Sequence, residues 1–191
     1  MTGGYKSLIV YQQAVIIQDL NTKFCQKYLA DNGTGIPTRR TVDQMTQAAR
    51  SGKQNIVEGS LEKSLKMNIK LTGVSRASFG ELKEDYEDFL RSRNLQIWDK
   101  NDPRVLEIRA LRVSTNLTNE SNKSNFTNLS NWTDTPERFA NLMITLISKE
   151  NYLLDQMLRS LEQKFINEGG YSENLFRKRL EKRSKPWFVG Q

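Results

Sequence analysis

Four carboxylates on one stretch of the chain, Glu81, Glu84, Asp85 and Asp88, stand at spacings i, i+3, i+4 and i+7. On a helix these spacings share one face, where the group could take a divalent cation or share a proton in acid–base work. The preferred reading is the ordinary one, a solvated face or salt bridges to basic residues of an adjacent subunit. Positive charge is concentrated elsewhere. From Arg177 to Lys185 the chain reads RKRLEKRSK, six positive charges and one negative within nine residues, followed by Pro186, Trp187 and Phe188. Such a run suits phosphates or another acidic surface. It equally suits a solvated, partly disordered tail that keeps the protein soluble.

Other chemistries are excluded by composition. The 191 residues contain no histidine and one cysteine. Ser-His-Asp and Cys-His nucleophile systems therefore cannot be built, nor can a zinc site based on Cys and His. The Glu-x-x-His pairs of a di-iron bundle are absent too. Cys25 cannot form an internal disulfide and fits a reducing, cytoplasmic compartment. Flanked by Phe24 and near Tyr28, it reads as a small core residue. No cofactor is expected, and a carboxylate-dependent enzyme is the least favoured class. The chain carries 29 basic and 22 acidic residues, net +7, with a pI near 9.5 and a mean hydropathy of −0.66. No run of 18 apolar residues occurs and the start shows no signal-peptide pattern, so no membrane partner is expected.

The elements that must position these groups are helices. Val10, Ala14, Ile17, Phe24 and Tyr28 step at helical intervals, predicting a helix from Ser7 that stops near Asp31, before the breakers Asn32 to Pro37. Val42, Met45, Ala49, Gly52 and Ile56 predict a second, ending at Gly59. A third runs from about Ser64 to Arg93, with Leu71, Ser75, Phe79, Leu82, Tyr86 and Phe89 on one face. Asp102 and Pro103 look like an N-cap and first residue of a short helix reaching about Val113. Thr135, Pro136 and Glu137 repeat that signal for a fourth long helix, carrying Met143, Ile147, Leu154, Leu158, Leu161 and Phe165 and ended by Gly169 and Gly170. Four long amphipathic helices and no strand pattern predict an all-α, up-down four-helix bundle over residues 1–168, with a short extra helix. Residues 169–191 form a basic C-terminal extension.

An insertion at 116–133 interrupts this plan. Asn116, Asn119, Asn122, Asn125, Asn128 and Asn131 each open a triplet closed by Ser or Thr, matching the glycosylation sequon six times. Without a secretory signal the tract reads as a polar linker. Phe126, Leu129 and Trp132 recur every three residues, so part of it is expected to strap the bundle.

The segment from Ala48 to Gly59 holds the strongest motif. Ser51, Asn55, Ile56, Glu58 and Gly59 resemble the Ser-x-x-x-Asn-Ile-Ala-Glu-Gly signature of the four-helix-bundle proteins first named for open reading frames in ribosomal-RNA intervening sequences. Ser78, Glu81 and Leu82 resemble that family's Gly-Ser-x-x-Glu-Leu. The likeness covers residues 7 to 95, and residues 136 to 185 are similar to a variant with a C-terminal suffix. Gln47 and Gly52 depart from it, standing where relatives often have an arginine and a bulky aliphatic. The resemblance implies a ring-like homopentamer. One relative, the accessory variability determinant of diversity-generating retroelements, implies binding of RNA or DNA and of a reverse transcriptase.

Read without the resemblance, the motif is structural first. Asn55 and Glu58 lie three apart near a helix end, where an amide can donate to free carbonyls. Glu58 sits at the negative end of its helix dipole and calls for a cation, expected from the third helix. The leading function is a non-enzymatic, oligomeric nucleic-acid-binding accessory protein. Its phosphate contacts are expected from Arg39, Arg40, Arg50, Lys53, Arg177, Lys178, Arg179, Lys182, Arg183 and Lys185, with little sequence preference. The alternative is a protein-interaction scaffold whose tail docks on an acidic partner. Self-association is also expected because Ile9, Ile16, Ala48 and Leu153 fall off the main apolar stripes.

Overall fold

A computed structural model describes residues 4–29, 38–110 and 129–184. Among these the chain is helical and contains no strand. A 3-10 turn, Tyr5–Ser7, precedes α1 (Ile9–Phe24), which continues through a π-helical turn, Cys25–Leu29. Then come α2 (Thr38–Leu61), α3 (Leu65–Ser92), α4 (Pro103–Ala110), α5 (Pro136–Glu168) and α6 (Tyr171–Ser184). A 3-10 turn at Ser130–Trp132 leads into α5.

The helix starts follow the cap chemistry. Asp102 Oδ1 accepts from the Arg104 N–H at 2.9 Å ahead of α4, and Thr135 Oγ1 accepts from the Arg138 N–H at 3.3 Å with Pro136 at the first helical position. Two bounds differ from expectation. Extended backbone at Leu8 delays α1 to Ile9. Helix α2 runs past Gly59 to Leu61, because Gly59 serves the packing rather than the stop. The predicted stop near Asp31 and the end of α4 near Val113 lie outside the described residues.

Helix α1 packs on α2 and α5, and α3 packs on the same two, so the four long helices enclose one core. Phe24 sits at its centre. Its ring meets Tyr86 and Phe89 with centroids 4.8 Å apart and Phe139 at 5.3 Å, edge to face, joining α1, α3 and α5. The expected apolar faces are largely those buried, with Ile17, Met45, Ile56, Phe79, Leu82 and Met143 essentially inaccessible. Leu129 and Trp132 are buried as well, so the end of the asparagine-rich insertion does lie against the core; Phe126 lies outside the described residues. Trp98 holds the α3–α4 segment down. Its N–H donates to Asn141 Oδ1 at 2.9 Å and its indole Nε1 to Glu137 at 3.1 Å.

Polar groups are also taken inside. Tyr86 donates to Asn21 Oδ1 at 2.8 Å across the core, and Gln13 donates to the Leu146 carbonyl at 2.9 Å. Glu150 differs from these. It is fully buried on α5, and neither carboxylate oxygen has a hydrogen-bond partner among the described residues. Burial alone pushes its pKa well above the ordinary carboxylate range.

Ile16 and Ala48 are buried, and Leu153 is half-buried against the core. The core is wider than a single stripe per helix, so these three do not argue for self-association. Ile9, 67% exposed, still does.

Candidate nucleic-acid interface

The motif residues converge on the seam between α2 and α3. Ser51 Oγ lies 3.0 Å from Ser78 Oγ, and Asn55 Nδ2 donates back to the Ser51 carbonyl at 2.8 Å and to its hydroxyl at 3.2 Å. One position along, Ser75 donates to the Gly52 carbonyl at 2.7 Å. A β-carbon at Gly52 would lie 2.7 Å from the Phe79 ring, and one at Gly59 would lie 3.0 Å from Asn68 Oδ1 and 3.3 Å from Leu71. Small residues here let two backbones approach, and the hydroxyls satisfy each other where they meet. The amide of Asn55 thus serves its own helix, as a structural bond. Glu58 is exposed and no ion pair to it is found among the described residues, so the cation expected from α3 is not supplied. Water answers a carboxylate at an exposed helix end.

The basic residues of α2 are less favourable for phosphate than their types suggested. Arg39, Arg40 and Arg50 are exposed. Arg40, however, opens onto a cleft of about 640 Å³ between α2 and α3 that is also lined by Asp43, Glu81 and Asp85. Three carboxylates outweigh one guanidinium there. Burial raises the Asp85 pKa, and Asp88 and Glu81 raise it further. Lys53 is half-buried and lies close enough to Asp19 on α1 to offset part of that carboxyl's desolvation. Asp88 is paired with Arg91, and no group of carboxylates or cysteine among the described residues has the geometry to hold a metal ion. Cys25 is buried, which pushes its thiol up to about 11 and leaves it a poor nucleophile at neutral pH.

Helix α6 carries the unopposed positive charge. The stretch read from sequence as an extension is helical from Tyr171 to Ser184, about 21 Å long, and buries no residue. Gly169, at φ +76°, turns the chain out of α5, and the Gly170 N–H donates to Glu173 at 2.8 Å to cap the new helix. Arg177, Lys178, Arg179, Lys182 and Arg183 are exposed, and none is in an ion pair among the described residues. Lys185 lies outside the described residues.

A second cleft, of about 590 Å³, opens where α6 leaves the body of the molecule. Lys63 from the α2–α3 turn, Lys164 from α5, and Arg177 and Lys178 from α6 line it together with Tyr171. Two carboxylates, Glu62 and Glu168, share the lining, so cations exceed anions by two. Lys63 and Lys164 were not singled out by the sequence reading. They are a hundred residues apart, each a lone lysine in a mixed-charge segment, and only the fold places them together.

Comparison with family models, with curated proteins and with solved structures gives no match to this chain. No helix among the described residues is long and apolar enough to cross a membrane.

Proposed function

We propose that the chain is an up-down four-helix bundle of the kind it resembles, and that it acts as a non-enzymatic nucleic-acid-binding accessory protein, gripping phosphates through α6. The pairing along each seam supports the bundle reading. Cys25 faces Thr46 while Asp19 faces Lys53, and Gln13 meets Leu146 while Tyr28 meets Asp134. Likewise Ser51 meets Ser78 while Gly59 faces Asn68. In each pair of helices one number rises as the other falls, which is the antiparallel order of such a bundle.

The observation that carries the functional reading is the state of α6: a helix with five exposed cations, none in an ion pair among the described residues, and no buried side chain. Such a helix does little for the fold, whereas phosphate contacts would use every charge. A chain ending at Phe176 is expected to bind duplex and single-stranded nucleic acid more weakly, with the slope of log K against log salt shallower by up to about 5 on duplex and about 4 on single strand. Its melting temperature should stay within a degree or two of the full chain's, as none of the described residues removed, 177–184, is buried. Titrations of labelled RNA and DNA at several salt concentrations measure both. Equal slopes would remove the tail from the mechanism. An absence of binding even at low salt would pass the tail to the acidic-protein reading, with a reverse transcriptase as the partner the resemblance implies.

Assembly into a ring-like homopentamer is part of the same proposal. It draws on the resemblance and on Ile9 and Tyr152, which are 67% and 63% exposed. Light scattering at micromolar concentration should give about five times the chain mass of 22.1 kDa. A mass of one chain across the range would remove the assembly.

A further inference from the structure

Helix α6 exposes more than charge. Tyr171 is 44% exposed and Phe176 61%, and Phe176 is followed directly by Arg177, Lys178 and Arg179. Exposed aromatic rings on a helix that buries nothing contribute little to stability and carry a solvation cost. Tyr171, Asn174, Arg177 and Lys178 fall at i, i+3, i+6 and i+7, so they share the face of α6 that lines the cleft with Lys63 and Lys164. The site therefore has cations on both walls and one aromatic ring, Tyr171, within it; Phe176, five residues on, falls on the opposite face of α6.

A duplex cannot use that ring, because its base faces are stacked on one another. A single strand can: each unpaired base offers a π-face to an aromatic side chain while its phosphates run along the cations. We propose that the cleft between α6 and the Lys63–Lys164 end of the body is a single-strand site, in which Tyr171 stacks a base and Lys63, Lys164, Arg177 and Lys178 hold the flanking phosphates. This rests on the nucleic-acid reading of α6 and narrows it from any phosphate backbone to unpaired strands. A second copy of the chain is a poor occupant, since it would bring a like-charged helix against this one. Glu62 and Glu168 sit on the same lining. Glu168 is held at 4.0 Å from Lys164 and its carbonyl accepts from Asn174 at 3.0 Å, so it is engaged in joining α5 to α6.

The test uses the full-length protein with a labelled mixed-sequence 20-mer, alone and annealed to its complement, at fixed salt. The single strand should bind more tightly. Tyr171→Leu keeps an apolar side chain at an exposed position and removes only the ring, and Phe176→Leu makes the same change on the opposite face of α6. Tyr171→Leu should lower single-strand affinity by about 5- to 150-fold, the range that one base stack supplies, while duplex affinity moves less than about twofold and Phe176→Leu changes neither by more than about twofold. Lys63→Gln with Lys164→Gln should make the single-strand salt slope shallower by about 1.4. Unchanged circular dichroism melts would establish that the variants fold. If single strand and duplex bind alike, if Tyr171→Leu weakens both or neither, or if Phe176→Leu weakens single-strand binding as much, the stacking site is wrong and the wider phosphate reading stands. If the wild type binds neither oligonucleotide but binds phosphatidylserine vesicles, both are overturned.

Discussion

Replacing Glu150 by glutamine should make the protein more stable at pH 7.5 and remove much of the pH dependence of its melting temperature. The side chain is fully buried, both its oxygens lack partners among the described residues, and burial is the sole cause of its raised pKa. In the unfolded chain the carboxyl ionises near about pH 4.3. In the folded chain it keeps its proton to higher pH. Between the two values the native state binds more protons than the unfolded state, so stability falls as pH rises. The contribution is fully present below about pH 4.3 and is lost as pH rises through the folded value. Glutamine keeps the shape without the ionisation, so parent and variant melts should converge in acid and separate toward alkaline pH. Glu150→Leu also removes the unpaired polar atoms, worth about 1–3 kcal/mol at any pH, or about 2–4 °C per kcal/mol in a chain of this size. Parallel pH curves for parent and glutamine variant would mean that the carboxylate finds a partner in solution.

Any side chain larger than a methyl group at Gly52 should cost stability. In a helix interior alanine is favoured over glycine by about 1 kcal/mol, so an open site would gain from Gly52→Ala. Here the new β-carbon would meet the Phe79 ring at 2.7 Å, and Phe79 is itself fully buried. Over-packing of this kind costs about 1–3 kcal/mol. Gly52→Ala should therefore come out near neutral to destabilising, and Gly52→Leu at or beyond the upper end of that range. The leucine variant would also part α2 from α3 and strain the bond from Ser75 to the Gly52 carbonyl. Phe79→Leu is destabilising alone but should partly rescue Gly52→Ala, giving a double-mutant cycle with a favourable coupling. A Gly52→Leu variant that melts at or above the parent temperature would place the two helices further apart than described.

The features legible in the sequence were those written in local pattern. The 3.6-residue spacing of Phe79, Leu82 and Tyr86 marks a buried face, and Thr135-Pro136 marks a helix start, because both depend on neighbours a few residues away. Gly52 carries a local sign of a related kind: a glycine costs helix propensity, so its place between Ala49 and Ile56 points to close approach of another helix. What escaped depends on distant parts of the chain. Glu150 looks like any surface glutamate until α5 is packed against its neighbours. The cleft of Lys63 and Lys164 does not exist without the tertiary fold. Arg40 read as a phosphate contact by residue type, whereas Asp43, Glu81 and Asp85 make its surroundings acidic. The helical state of 171–184 was missed because a charge run gives no apolar period to read, although Leu, Arg, Lys and Glu all favour helix.

The isolation of α6 sets how firmly it holds its own hydrogen bonds. A helix of 14 residues that buries none of its side chains is near the limit of what survives alone in water. Its amides should open with little free energy and exchange with solvent early, while those of the α2–α3 seam around Gly52 and Phe79 exchange last. Whatever lies along α6 must therefore complete its ordering as it binds, and part of the interaction is spent on that step. Protection of the amides between Tyr171 and Ser184 then becomes a direct signal of occupancy, readable without knowing what the occupant is.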